Sequence, residues 1–451
     1  MFTRLIVLSI GIEASLLVLL LVSDLRHHPG IGIGVLLGAS LFYLASVFTI
    51  LKLPSPGLLS RRWVLLGLAV LFRLTLWPLF PAFSDDAYRY RWEGELQASG
   101  GNPYQISPSD VAVRGLRDSR YENVPDSDFR AGYGPLTELL ERITYSTVRR
   151  FTNNRAIQVF WFKSPAALFD LEILTVLWLF VKQRSLAPER WLLYAWCPLP
   201  AFEFWASGHN DAIAVFFLLL TLLFADRHRW WLASGALWLA GAVKLWPLML
   251  FPLLIIRGER GSWRRLAAAI LTAPVFIVCW LPYWSNVITN LRFMSGFVGG
   301  WRNNDSLFGF FLWITRGDLY HAKLIAFGVL ACGLVLIAAL RLSLDRAFLT
   351  AIVTLLLVSA NCHPWYLTWF IPLLVFVPVP PLFLWAALMP LTYAVLFRWF
   401  SERVWNGSTP VRWWVYGPVL ACGLVWLFHR RHNRKNGSLC PARSLPGDLP
   451  I

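Results

Sequence analysis

The chain has 451 residues, of which 57% are hydrophobic and 15% charged, and its mean hydropathy is +0.55. A soluble globular domain carries about 25% charged residues, which excludes that class. The net charge of +16 would suggest nucleic acid for a soluble protein; here the basic residues sit in short loops between apolar runs, and no nucleic-acid partner is expected.

Each of these apolar runs is long enough to cross a bilayer. An all-α polytopic membrane protein is expected, a bundle of about 11–14 transmembrane helices; a β-barrel would show short alternating segments instead. Predicted spans cover 4–23, 31–51, 62–82, 156–181, 190–206, 209–225, 230–256, 266–284, 320–340, 347–361, 365–378, 380–398 and 411–429. Residues 1–23 lack a small-x-small cleavage signal, so an uncleaved first span is expected there. Three crossings place Asp85 and Asp86 outside and Lys182, Arg184, Arg227 and Arg229 inside. The count survives the basic loop 257–265 only if 230–256 is two half-length pieces with an apex near Lys244, where Pro247 and Pro252 favour a break.

Residues 1–429 therefore read as one transmembrane catalytic domain, followed by a basic cytoplasmic tail, 430–451. Residues 84–155 form a large external loop holding 11 of the 25 acidic residues, and 285–306 a second one. Within the first, Pro135 to Phe151 is amphipathic. Leu136, Leu139, Leu140, Ile143 and Val148 share one face, and Glu138, Glu141, Arg142, Arg149 and Arg150 the other. A helix lying on the outer membrane surface is expected from that pattern. The cysteines (Cys197, Cys279, Cys332, Cys362, Cys422 and Cys440) stand singly, with no CxxC, so neither zinc nor a disulfide framework is indicated.

The chemistry-bearing residues start where the third span ends. Asp85 and Asp86 stand beside Tyr88, Arg89, Tyr90 and Arg91. Either carboxylate suits a turn or a helix N-cap; either also suits a general base, with the arginines gripping a phosphate. Two adjacent aspartates are also a possible site for a divalent cation, Mg²⁺ or Mn²⁺. Asn102 and Tyr104, then Tyr133, lie in turns that frame the same loop. Glu203, His209, Asn210 and Asp211 follow at a span start; Asn210 or Asp211 would serve as an N-cap, but an acid inside a span is costly and points to function. Lys244 stands alone among apolar residues and wants an anion, a lipid phosphate or a carboxylate such as Asp86. Arg302 and Asn304 in the second loop, and His363, Trp365 and Tyr366 at a span end, suit sugar hydroxyls, a sugar ring or a phosphate. Lys163 and Asp170 read as polar packing within a span.

The ordered set Asp85-Asp86-Ala-Tyr-Arg-Tyr90, Asn102-Pro-Tyr104, Tyr133-Gly-Pro-Leu136, Glu203, Gly208-His-Asn-Asp211, Lys244, Asn304-Asp-Ser306 and His363-Pro-Trp-Tyr366 resembles the GT-C superfamily of polyprenyl-phosphate-sugar-dependent glycosyltransferases. It is most similar to the bacterial multispanning mannosyltransferase-like members and, more distantly, to the enzyme that adds the first mannose to GPI anchors. The resemblance implies a GT-C-like bundle in a bacterial inner membrane with its active site on the periplasmic face. It implies transfer of mannose, or another hexose or pentose, from a polyprenyl-phosphate donor to a hydroxyl of a glycan or glycolipid acceptor, with inversion. Asp86 or Asp85 would be the catalytic base. The chain departs from the GPI enzyme in having adjacent acids rather than Asp-x-Asp and three spans before the loop. The rival expectation is a transporter or flippase for a lipid-linked sugar or another anionic lipid, for which the intramembrane charges Glu13, Arg73, Lys163 and Asp170 also suit.

Overall fold

Backbone groups in lipid must be satisfied within their own segment, so a chain this apolar folds as helices. The computed structural model describes residues 1–22, 24–52, 61–79, 82–256, 261–285, 302–402, 404, 405, 407 and 410–435. Among these residues seven helices are long and apolar enough to cross a membrane: Phe2–Leu19, Pro29–Lys52, Arg155–Gln183, Ser262–Tyr283, Leu319–Ala339, Pro380–Glu402 and Val411–Asn433. The protein is an all-α, multi-pass membrane protein. The expected second loop 285–306 and the tail 430–451 lie largely outside the described residues.

The other predicted spans are shorter or broken, which is why the expected 11–14 spans are not all long continuous helices. Proline explains most of the breaks. The segment 190–206 is a string of short turns around Pro188, Pro198 and Pro200, and 364–375 is two 3₁₀ turns started by Pro364 and Pro372. The segment 230–256 divides at Lys244, where the helix Trp230–Val243 ends in extended backbone (φ −142°, ψ 144°) before Pro247 opens a new turn. These broken elements contribute to the core, with Tyr194, Trp196, Phe202 and Phe370 fully or nearly fully buried. Short elements leave backbone and side-chain polar groups inside the bundle, the arrangement in which a membrane protein builds a site.

The first three helices are α1 (Phe2–Leu19), α2 (Pro29–Lys52) and α3 (Arg62–Leu76). The long loop after α3 then carries α4 (Asp86–Ala98) and α5 (Pro135–Val148), which pack on each other. Helix α4 is polar in sequence, DAYRYRWEGELQA, yet most of it is buried. Its charges are paired internally: Arg89 with Glu93 at 2.6 Å, and Arg91 with Glu95 at 3.0 Å and Asp118 at 3.1 Å. Removing one partner would strand a buried charge, so α4 is held by these pairs as well as by its buried Tyr88, Tyr90, Trp92 and Leu96.

Helix α5 corrects the amphipathic reading. Its acidic side, Glu138 and Glu141, is buried against α4, while Ile143 is 59% exposed. Leu136 and Leu140 pack against Ile213, Ala214 and Val243 rather than resting on a lipid surface. The helix is a wall of the site with its acidic face inward. Hydrophobic periodicity could not reveal this, because the partner face of α4 is itself polar.

Candidate active site

Asp86 opens α4 with its backbone N–H donating to Ser84 Oγ at 3.1 Å, so the serine takes the capping role and the carboxylate is left for other contacts. Phe83, just before it, has φ +58°, a conformation that costs a bulky residue about 1–2 kcal/mol. Its ring is fixed against Phe202 and Tyr393 at centroid distances of 5.5 and 4.7 Å. Packing thus holds a strained turn that aims Asp86. Asp86 Oδ2 accepts hydrogen bonds from Tyr133 at 3.0 Å and Tyr90 at 3.2 Å. Burial, with Asp86 beside them, pushes both phenols well above their usual range, so both remain protonated donors. The adjacent Asp85 is buried and faces Arg26, whose Nη1 lies 3.6 Å from Oδ1. Two neighbouring carboxylates therefore have different surroundings. Asp85 answers an arginine, and Asp86 opens onto a cavity with its side chain 24% exposed.

Behind Asp86 stands His209. A π-helical turn, Phe202–Ser207, and a left-handed Gly208 carry the chain from Glu203 to this histidine. His209 Nε2 is 3.7 Å from Asp86 Oδ2, and Nδ1 is 2.9 Å from Glu203 Oε2. Tyr393 donates to the other Glu203 oxygen at 2.5 Å. The imidazole is fully buried and stacked on Trp365 at 4.0 Å, which stacks in turn on His363 at 4.4 Å. The result is a line of groups, Tyr393, Glu203, His209 and Asp86, ending at the cavity.

Lys244 lies across from the aspartate, on the far side of Tyr133. Its ammonium is 5.2 Å from the centre of the Tyr133 ring and 2.8 Å from both oxygens of Asp211. Trp369 Nε1 donates to Asp211 as well, at 2.6 Å. Of the two anions expected for Lys244, the one present is a carboxylate, and it is Asp211 rather than Asp86.

Loop and bundle are joined beside these groups. Gly134 N–H donates to Val243 O at 2.9 Å, and Thr137 Oγ1 donates to the same carbonyl at 3.1 Å. A Cβ on Gly134 would lie 2.2 Å from Ala242 O, so only glycine allows this approach. Gly134→Ala is expected to push Tyr133 and Lys244 apart. It should cost about 1–3 kcal/mol of stability through overpacking and lower kcat by about tenfold, a 1.4 kcal/mol effect; thermal unfolding and transfer assays on the purified variant check both.

The cavity has a volume of about 570 Å³. Its lining combines polar groups, Asp86, Asp126, Arg130, Lys244, Asn303 and His363, with apolar ones, Leu355, Leu356, Val395, Leu396, Trp399 and Phe400. A site lined this way suits a ligand with a polar head and a hydrocarbon tail.

The sequence from residue 12 to 257 matches the family described as alpha-(1->6)-mannopyranosyltransferase, N-terminal domain. The chain belongs to this family. Residues 159–360 also match glycosyltransferase family 87. Comparison with curated proteins and with solved structures gave no match. Both family matches are to glycosyltransferases, so the chain is a membrane glycosyltransferase of the mannosyltransferase type, in accord with the GT-C resemblance. The first match contains Asp86, Tyr133, Glu203, His209, Asp211 and Lys244, all but one of which lie on or directly behind the same polar wall, with Glu203 one residue deeper behind His209.

The structure of this mannosyltransferase-type protein gathers Asp85, Asp86, Tyr133, Lys244, His363, Trp365 and Tyr366 on the cavity, with Glu203, His209 and Asp211 behind them. It places the other expected binding residues differently. Arg89 borders the cavity, but its donors are engaged by Glu93, Asp126 O and Phe129 O. Arg91 is consumed by Glu95, Asp118 and Gln158, and Tyr88 lies under Arg26. Asn102 Oδ1 accepts from the backbone of Tyr104, whose hydroxyl donates to Tyr133 O at 2.8 Å; both support Tyr133 rather than line the space. Asn210 donates to Glu141 and caps nothing. Arg302 pairs with Asp305 at 2.8 Å, and Asn304 is buried under Tyr416. The neighbour Asn303 borders the cavity instead, with Nδ2 3.0 Å from His363 Nδ1. Sequence reasoning missed Asn303, Asp126, Arg130, Trp369 and Tyr393. Only Tyr393, which with Thr392 puts hydroxyls into an otherwise apolar span, carried a signal that could have been followed.

Among the described residues, a group of three ligand-type side chains lies close enough to share a cation: Glu93, Glu138 and Glu141. Asp85 faces an arginine, and Asp86 is bracketed by two phenols and an imidazole.

Asp126 gives the cavity a pH dependence. Burial, and then the nearby Asp86, push its carboxyl up to about 6, against a pull downward from Arg89. The group is neutral below that pH and negative above it. An anionic donor would meet one more like charge at pH 7 than at pH 5, worth about 1 kcal/mol at an effective dielectric near 40 and 8 Å. KM for the donor is expected to rise about fivefold over that interval. In Asp126→Asn it should stay flat, as KM measured from pH 5 to 7.5 would show.

Proposed function

We propose that the protein transfers mannose from a polyprenyl-phosphate donor to a hydroxyl of a glycan or glycolipid acceptor, on the external face of a bacterial inner membrane, with inversion at the anomeric carbon. One observation carries the reading: Asp86 opens onto a cavity lined by the charged Lys244 and also by apolar side chains, Leu396, Trp399 and Phe400 among them. The family description supports mannose as the sugar and a 6-hydroxyl as the acceptor.

The chemistry follows from the groups in place. Asp86 accepts the proton of the acceptor hydroxyl as that oxygen attacks the anomeric carbon, and the bond from that carbon to the phosphate oxygen breaks. The departing polyprenyl phosphate gains negative charge. Lys244, held by Asp211 and Trp369 on the opposite side of Tyr133, offers a fixed positive charge for it. Trp365 and Tyr366 give flat surfaces for a sugar ring, and Leu396, Trp399 and Phe400 begin a groove for the lipid tail.

The test is transfer of radiolabelled mannose by the purified protein in nanodiscs, with polyprenyl-phosphate mannose or GDP-mannose as donor and a mannoside acceptor. The lipid donor should give product whose new linkage has the opposite anomeric configuration. Product from GDP-mannose alone, or retained configuration, would overturn the proposal.

A further inference from the structure

Three buried glutamates have no role in the chemistry just described, although Glu93 also borders the cavity. Glu93 on α4 and Glu138 and Glu141 on α5 are 1%, 0% and 3% exposed. One carboxylate oxygen of each lies within 4.8 Å of the others. Helices rarely come this close; here Gly94 allows it, because a Cβ at that position would stand 2.6 Å from Glu141 O.

A second observation separates this cluster from a chance gathering of acids. Each carboxylate has one oxygen fixed from outside. Arg89 Nε donates to Glu93 Oε1 at 2.6 Å, Gln97 Nε2 to Glu138 Oε2 at 3.1 Å, and Asn210 Nδ2 to Glu141 Oε1 at 3.3 Å. The other oxygen of each, Glu93 Oε2, Glu138 Oε1 and Glu141 Oε2, is buried without a hydrogen-bond partner. Outer donors that orient carboxylates while leaving one oxygen free on each are the pattern by which proteins prepare oxygen ligands for a hard cation. Among the described residues one cation, Arg89, pairs with the group; three ionised carboxylates beside it would carry an excess of two negative charges.

We infer that Glu93, Glu138 and Glu141 form a binding site for one divalent cation that pins α4 to α5. The ion balances the two excess charges and fills the coordination left open by the unpartnered oxygens. It touches neither Asp86 nor the transferred sugar. Its role is to hold the helix that carries Asp86 against the helix that follows Tyr133. The proposal is independent of the donor and acceptor assigned above.

The experiment uses the full chain in detergent, stripped with EDTA and titrated with Mn²⁺ alone. Loss of the free-ion electron paramagnetic resonance signal should show one bound ion per chain, displaced by excess Mg²⁺ or Ca²⁺, with a rise in the unfolding temperature. Glu138→Gln/Glu141→Gln should weaken binding at least tenfold, whereas Asp85→Asn/Asp86→Asn should leave it unchanged. Iron(II) with ascorbate and peroxide, which cuts backbone near its binding site, should cleave the wild-type chain close to residues 93 and 138–141 and so locates the ion even if the glutamine variant fails to fold. No Mn²⁺ binding at 1 mM, cleavage elsewhere, or loss of binding in the aspartate variant in place of the glutamine one would overturn the proposal. In that event the three carboxyls hold protons instead.

Discussion

Asp86→Asn is expected to lower kcat about 10³-fold, the size of effect that removal of a positioned general base produces, while expression and the unfolding temperature stay near wild type. The substitution is close to isosteric. An asparagine oxygen still accepts from Tyr90 and Tyr133, so the hydrogen-bonded turn at the start of α4 survives. What disappears is the negative charge and the ability to take a proton. With the proposed anionic donor, KM should fall a few-fold rather than rise, because Asp86→Asn removes one like charge from the cavity. Asp85→Asn is the control. Asp85 faces Arg26, so its neutralisation should loosen that contact and cost less than tenfold in kcat. A dead Asp85 variant beside an active Asp86 variant, scored by single-turnover transfer, would reverse the assignment of the base.

The membrane class was legible from the sequence because lipid imposes long apolar runs that composition alone exposes. The break at Lys244 was legible too, since charge on both flanks of one apolar segment forced a half-length turn and two prolines marked where it falls. The gathering of Asp86, Glu203, His209, Asp211 and Lys244 on one side followed from counting crossings. Their pairing did not follow. That Lys244 meets Asp211, or that Asp85 meets Arg26 from the turn after α1, depends on contacts between distant segments that no local pattern encodes. Helix α5 shows the limit most clearly. Its charged face looked solvent-bound, and only the equally polar α4 packed against it makes burial of Glu138 and Glu141 tolerable. Asn303 rather than Asn304 reaches the cavity for a similar reason. Asn303 bridges in backbone register to Asn361, which lays it beside His363, whereas Asn304, at φ +50°, turns away under Tyr416.

Glu203→Gln is expected to lower kcat about 30-fold, within the 10–100-fold typical of an outer partner that orients a functional group, with KM within threefold of wild type by the near-absence of direct ligand contact. The glutamate carries the negative charge that faces His209 Nδ1 at 2.9 Å, and His209 in turn faces Asp86 Oδ2 at 3.7 Å. Neither Glu203 nor His209 borders the cavity, so their influence on transfer has to pass through the aspartate. This gives a sharper test than loss of rate. If the glutamate works by setting the position and charge of His209 against Asp86, then Glu203→Gln should cost almost nothing further once Asp86 is already asparagine, since groups that act as one unit are strongly non-additive. Losses that multiply in the double variant would show that Glu203 acts elsewhere, as a buried strut for Tyr393 and the π-helical turn, and the line from Glu203 to the cavity would have to be abandoned.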